Sequence, residues 1–285
     1  MQPLSRTSQT CPAWVSRSLQ CPACGTPLES RPAALACATG AHVYPQADPA
    51  CLDIRHTVAP DADWMTRQNW MEREYSDLLD DGDHPAVGFE NDFREIAALL
   101  QGYGGRILDI GGGNGIARHW LSSDEDYVLL EPSLMWRDGR WTRFVDRFPC
   151  LARRCVHIRG FAEALPFAAG TFDAALCLWS LNHVVSVDAA VTETLRVLVP
   201  GGRLLVVLED TEPSWSDLLS GSYPDAGALR SLRLGILKML KPARPWPLQP
   251  DHIAVPERVL LSAAGARALR REWRGLYLTI ELQKT

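Results

Sequence analysis

The chain has 285 residues, 46% of them hydrophobic and 22% charged, with a net charge of -5. That composition sustains a sizeable globular core and supplies no global positive field for nucleic acid or an anionic membrane. There is no apolar run of the ~20 residues a membrane span requires, and Met1–Ser5 opens no signal-like apolar stretch, so a cytoplasmic protein is expected. In that compartment the eight cysteines are not a disulfide framework.

Residues 1–18 are polar and patternless and read as a loose tail. Residues 19–55 differ in character. Cys21-Pro22-Ala23-Cys24-Gly25 is a knuckle, with two thiolates two residues apart and a glycine that lets amides turn toward sulfur. Cys37 and His42 follow at Cys-x4-His spacing. The set Cys21, Cys24, Cys37 and His42 suits a closed tetrahedral Zn2+ site, with Cys51 as an alternative fourth ligand. A segment this short cannot bury enough apolar surface to fold alone, and a metal supplies the difference.

Residues 56–104 read as a linker and capping helices. Trp64, Trp70, Met71, Tyr75, Leu78 and Leu79 share helical spacing, and Phe89, Phe93, Ile96 and Leu100 mark a second helix. Trp70 and Tyr75 are lid candidates on this reading, with core packing the alternative role for either.

The organising stretch is Arg106–Gly115. Ile107, Leu108 and Ile110 form a short buried strand, and Gly111, Gly112, Gly113 and Gly115 let the backbone turn with no Cβ in the way. A helix is expected from Ile116 to Leu121. Strand, glycine turn and helix make a nucleotide-binding corner. Apolar runs then continue at 127–130, 156–159, 173–178 and 203–208, separated by helical stretches. Pro256–Ala264 reads as a helix, and 266–273 with 276–283 as a hairpin. The fold expected is α/β: a doubly wound, mostly parallel seven-stranded sheet with a terminal antiparallel hairpin, over residues 105–285. Residues 210–250, with Trp215, Tyr223 and Trp246, form an insertion suited to covering a ring-bearing or apolar substrate.

Four motifs in order resemble a class I S-adenosylmethionine-dependent methyltransferase. They are Ile107–Gly115, Glu131 at the end of the second strand, Ala162–Phe167 followed by Gly170–Asp173, and Leu195–Leu205 with its Pro200-Gly201-Gly202 turn. The resemblance implies S-adenosylmethionine as cofactor. Glu131 would accept the ribose hydroxyls, Gly111 and Gly113 would leave room for the methionine part, and Asp109 would order the loop or hold the amino group. Ala162, Glu163, Leu178 and Tyr75 complete the cofactor set. The acid that often precedes Ala162 in the family is Phe161 here, so adenine recognition falls to backbone and apolar contact. NAD fits less well, because Ile116 stands where its fingerprint requires a third glycine.

His183 and His252 are the candidate general bases, since methyl transfer is an in-line displacement that needs a base only for a protonated nucleophile. A small-molecule acceptor is the first reading, with the protein a monomer or homodimer off the membrane. The N-terminal segment also resembles a small zinc-ribbon methyltransferase activator. A guanine-N1 ribosomal RNA methyltransferase family carries a similar site. Together with seven arginines between Arg137 and Arg159, this keeps RNA as the alternative acceptor.

Overall fold

A computed structural model describes residues 11–48, 51–55, 62–209, 211, 214–220 and 249–285. Its first element, α1 (Ala13–Ser18), corrects the reading of a tail through residue 18. Val15 is fully buried, and Trp14 sets its ring edge-on to Phe172 while donating Nε1 to Asp126 at 2.7 Å. Two large apolar residues in a polar stretch show no period, so only tertiary packing reveals the helix. Strands β1 (Leu28–Arg31), β2 (Ala34–Cys37) and β3 (Val43–Pro45) then form a three-stranded antiparallel sheet, with Leu28 opposite Cys37 and Leu35 opposite Tyr44. Strand β4 (Leu52–Asp53) leaves that ribbon and pairs elsewhere.

Two helices follow, α2 (Ala62–Asp80) and α3 (His84–Leu100). The break between them holds Gly82 at φ 55°, and Pro85 stands in the first turn of α3, where its missing N–H costs nothing. The sheet strands are β5 (Ile107–Ile110), β6 (Tyr127–Leu130), β7 (Val156–Arg159), β8 (Phe172–Leu178) and, after α4 (Val187–Val197), β9 (Leu198–Leu208). Short helices α5 (Trp215–Ser220) and α6 (Glu257–Leu261) precede the hairpin β10 (Ala266–Arg274) and β11 (Tyr277–Lys284).

The main sheet runs β10-β11-β9-β8-β5-β6-β7-β4. It has eight strands among the described residues, not seven, because β4 adds a parallel edge beside β7, with Leu52 opposite Ile158. The pairs from β4 to β9 are parallel, and the hairpin closes the other side antiparallel. Alternate residues feed two cores. Leu108, Ile110, Val128 and Leu130 face the ribbon and α4, while Ile107, Leu129 and Leu176 face α3. Strands buried on both faces need apolar residues at every position, which is why their runs are unbroken.

The helix expected after the glycine turn is a single 3-10 stretch, Ile116–His119. Three more 3-10 stretches (Met135–Arg137, Gly139–Phe144 and Pro149–Ala152) make the crossover from β6 to β7. Among the described residues no helix is long and apolar enough to cross a membrane.

Candidate cofactor and acceptor site

The carboxyl end of β5 carries the tightest backbone among the described glycines. Gly111 has φ 68°, and a Cβ there would lie 2.5 Å from the Ser180 Cβ. At Gly112 a Cβ would meet Asp109 Oδ2 at 2.4 Å and Leu129 Cδ1 at 2.6 Å. Gly113 presses against the Trp136 ring, which a Cβ would approach to 3.1 Å. Gly111 and Gly113 are the positions read from sequence as facing the cofactor. Gly112, read there only as part of the turn, holds the turn against its own strand.

Two carboxylates stand behind this turn. Asp109 is 1% exposed, takes the Tyr127 hydroxyl on Oδ2 and has no partner on Oδ1. Burial pushes its pKa up to about 7, against the pull of the Tyr127 bond. Glu131 is 4% exposed and accepts from Gly113 N at 3.2 Å and Ser133 N at 2.9 Å. Burial lifts it to about 7 as well, opposed by those two amides.

Asp109, Gly111, Gly113, Glu131, Ala162, Glu163, Leu178 and Tyr75 all line one pocket. Glu163 also holds the chain above it, since Oε1 accepts from Val185 N at 2.6 Å and Ser186 N at 3.1 Å. Tyr75 packs its ring 4.5 Å from that of Trp136, and burial raises its pKa. Trp70, the other lid residue read from sequence, does not line the pocket; Trp64, one turn and a half earlier on α2, does. Trp64 sets its ring against Phe161 and donates Nε1 to the His183 carbonyl at 2.7 Å. Trp179, at the end of β8, holds φ 54°, a left-handed conformation uncommon for a bulky residue and frequent at functional sites. None of these aromatic roles has a sequence signal beyond helical or strand spacing.

This pocket fits an adenosyl cofactor on its own terms. A buried carboxylate at a strand end offers acceptors for a ribose diol. Bare glycine backbone admits close approach. The unpartnered Asp109 Oδ1 and Ser180 Oγ give a polar end of the kind an amino acid moiety needs.

The two histidines, distant in sequence, meet in space. His183 lines the pocket, and its Nδ1 is 3.5 Å from Asp251 Oδ2. Burial pushes its pKa down to about 3, helped by His252 and Arg67 nearby. His252 does not line the pocket; it is 5% exposed, with its ring 4.6 Å from that of His183 and Nε2 3.2 Å from Glu209 Oε1. Asn182 and Ile253 bind each other's backbone segments, which brings the two loops together. Trp215 is on α5, half exposed, while Tyr223 and Trp246 lie outside the described residues.

In the ribbon, one ligand atom each from Cys21, Cys24, Cys37 and His42 lies within 4.8 Å of the others. Cys21 Sγ and Cys37 Sγ are 3.5 and 3.7 Å from His42 Nδ1. A tetrahedral ion with Zn–S of about 2.3 Å and Zn–N of about 2.1 Å would separate S and N by about 3.6 Å. Cys51 stands outside this group, its buried thiol pushed up to about 11. Five of the seven arginines of the cluster pair with acids of the chain. Arg137 pairs with Asp48, Arg140 with Asp80 and Asp138, Arg147 with Glu90, Arg153 with Asp124 and Arg159 with Asp53.

Comparison with known proteins places the chain among methyltransferases. The family described as "Methyltransferase domain" matches residues 108–206. The chain is 34% identical over 181 residues to demethylmenaquinone methyltransferase of Beutenbergia cavernae, covering 61% of this chain and 67% of that protein. It is 32% identical over 178 residues to the ubiquinone/menaquinone biosynthesis C-methyltransferase UbiE of Pseudomonas paraeruginosa, covering 60% and 61%. The chain thus spans about two thirds or less of the length of these relatives. A solved 1,6-didemethyltoxoflavin-N1-methyltransferase from Burkholderia thailandensis is similar at 16% identity and TM-score 0.48, over 90% of this chain and 99% of that one. The fold and site define an S-adenosylmethionine-dependent enzyme of the α/β class. The chain belongs to the methyltransferase family that these relatives represent.

Proposed function

We propose that the protein methylates a small ring-bearing or apolar acceptor, and that its ribbon holds Zn2+. The observation that carries this is one pocket joining the glycine turn and Glu131 to a wall of Trp64, Met71, Phe89, Phe93, Trp136 and Trp179. The names of the two relatives, both from quinone biosynthesis, support a ring as the acceptor. When bound, the cofactor supplies a methyl group already activated as a sulfonium.

The chain's own residues then have three tasks. Glu131 and the glycine backbone orient the cofactor. The aromatic residues of α2 and α3 exclude water and align the ring, which is where proximity contributes most. His183 lines the pocket as the candidate base for an acceptor that must lose a proton, although burial, which pushes its pKa down to about 3, makes it a weak one. Five of the seven arginines of the 137–159 cluster already pair with acids of the chain, which favours a small molecule over RNA.

Calorimetry with S-adenosylhomocysteine on the full chain tests this reading. One site is expected, weakened at least tenfold by Glu131→Ala, about 1.4 kcal/mol. Absence of binding overturns it.

A further inference from the structure

His183, Asp251 and His252 form a second convergent donor set, at the edge of the pocket and apart from the ribbon, with Glu209 beside His252. One ligand atom each from His183, Asp251 and His252 lies within 4.8 Å of the others. The measured spacings are 3.5 Å from His183 Nδ1 to Asp251 Oδ2, 3.8 Å from His252 Nε2 to Asp251 Oδ2, and 3.2 Å from His252 Nε2 to Glu209 Oε1. Two of these exceed the 2.7–3.2 Å of a good N–H···O bond. They suit atoms that share an ion, since two donors about 2.1 Å from a tetrahedral centre lie about 3.4 Å apart.

Burial sharpens the case. Asp251 is 3% and His252 5% exposed, and charged or ionisable groups that deep are ordinarily paired or bound to metal.

We propose that His183, Asp251 and His252 bind a divalent first-row transition ion beside the acceptor pocket, with Glu209 at hydrogen-bonding distance from His252 as a neighbouring carboxylate. Two imidazoles with a carboxylate are the donor set such ions favour, and thiolate is absent from it, unlike in the ribbon. Because His183 also lines the pocket, the ion faces the acceptor, and a hydroxyl-bearing ring is the acceptor class it would ligate. That last step rests on the methyltransferase reading; the metal site itself does not.

The test titrates ZnCl2 into chelator-stripped full-length protein by calorimetry, with metal content checked by elemental analysis. Two zinc equivalents per chain are expected in the wild type. His252→Gln should lose one of them, and Cys24→Ser should keep the one that His252→Gln loses. A single equivalent, retained in His252→Gln and lost in Cys24→Ser, overturns the proposal. Substitution with Co2+ guards against a misfolded variant. The new site should add visible d–d absorption without thiolate charge transfer, and a cobalt spectrum wholly of thiolate type counts against it. Binding of S-adenosylhomocysteine, measured on the same samples, reports separately on the methyltransferase reading.

Discussion

At Glu131 a carboxylate sits where almost no water reaches it, held by two amides. Its pKa rises from 4.5 to about 7 because burial disfavours the charge more than the amides favour it. The folded protein therefore holds this proton more tightly than the unfolded chain does. The stability gained is complete below the unfolded value and is lost as pH rises through about 7. Asp109 behaves in the same sense and adds to the trend. In the ligand-free protein, Glu131→Gln removes one ionisation, so its melting temperature relative to wild type should be higher at about pH 8 than at about pH 5. Thermal melts at the two pH values check this, and an unchanged difference would sink the assigned ionisation. Cofactor binding has the opposite demand, since a ribose diol needs the ionised form. Affinity for S-adenosylhomocysteine should therefore weaken below about pH 7 in the wild type, by up to about tenfold per pH unit, and lose that dependence in Glu131→Gln.

Among the elements, the β5 turn concentrates the constraint. Gly112 does not need a left-handed backbone; it needs space, because Asp109 and Leu129 already occupy the position a Cβ would take. Gly112→Ala is expected to cost about 1–3 kcal/mol of stability through overpacking. It should also displace Asp109 from Tyr127 and lower cofactor affinity, which chemical denaturation and calorimetry measure together. A variant as stable and as tightly binding as wild type would contradict the packing argument. This turn and the strands around it were legible in the sequence, since runs buried on both faces leave unbroken apolar letters. The run at 127–130 has the bounds of β6, and the Pro200–Gly202 turn lies within β9. What was not legible depended on tertiary partners. Leu52 and Asp53 are too few to show a period, so the eighth strand went unread. Trp64 carried helical spacing like its neighbours, and only the fold shows that it, and not Trp70, reaches the pocket. The meeting of His183 with His252 is likewise a consequence of two loops bonding through Asn182 and Ile253.

For the molecule as a whole, the ribbon and the sheet are not independent. Val15, Leu19, Leu28, Leu35, Tyr44 and Ile54 belong to the same apolar core as Phe167, Phe172 and the α4 face. Leu19 bridges Phe167, Gln20 N donates to Pro166 O at 3.0 Å, and Asp53 reaches Arg159 across the shared sheet edge. With zinc bound as proposed, a ribbon joined in this way should melt with the sheet, not before it. The core it contributes is continuous, and cooperative units follow such continuity. Scanning calorimetry of the full chain is therefore expected to show one transition, shifted down by roughly 10 °C or more after chelation or in Cys24→Ser, as the loss of several kcal/mol would produce in a protein of this size. The shift should be accompanied by weaker binding of S-adenosylhomocysteine at temperatures below the transition, because the Ala162–Phe167 segment that lines the pocket packs directly on the ribbon. Two resolved transitions, with the sheet's unmoved by chelation, would show that the ribbon is an appendage and that the shared core contributes little to the site.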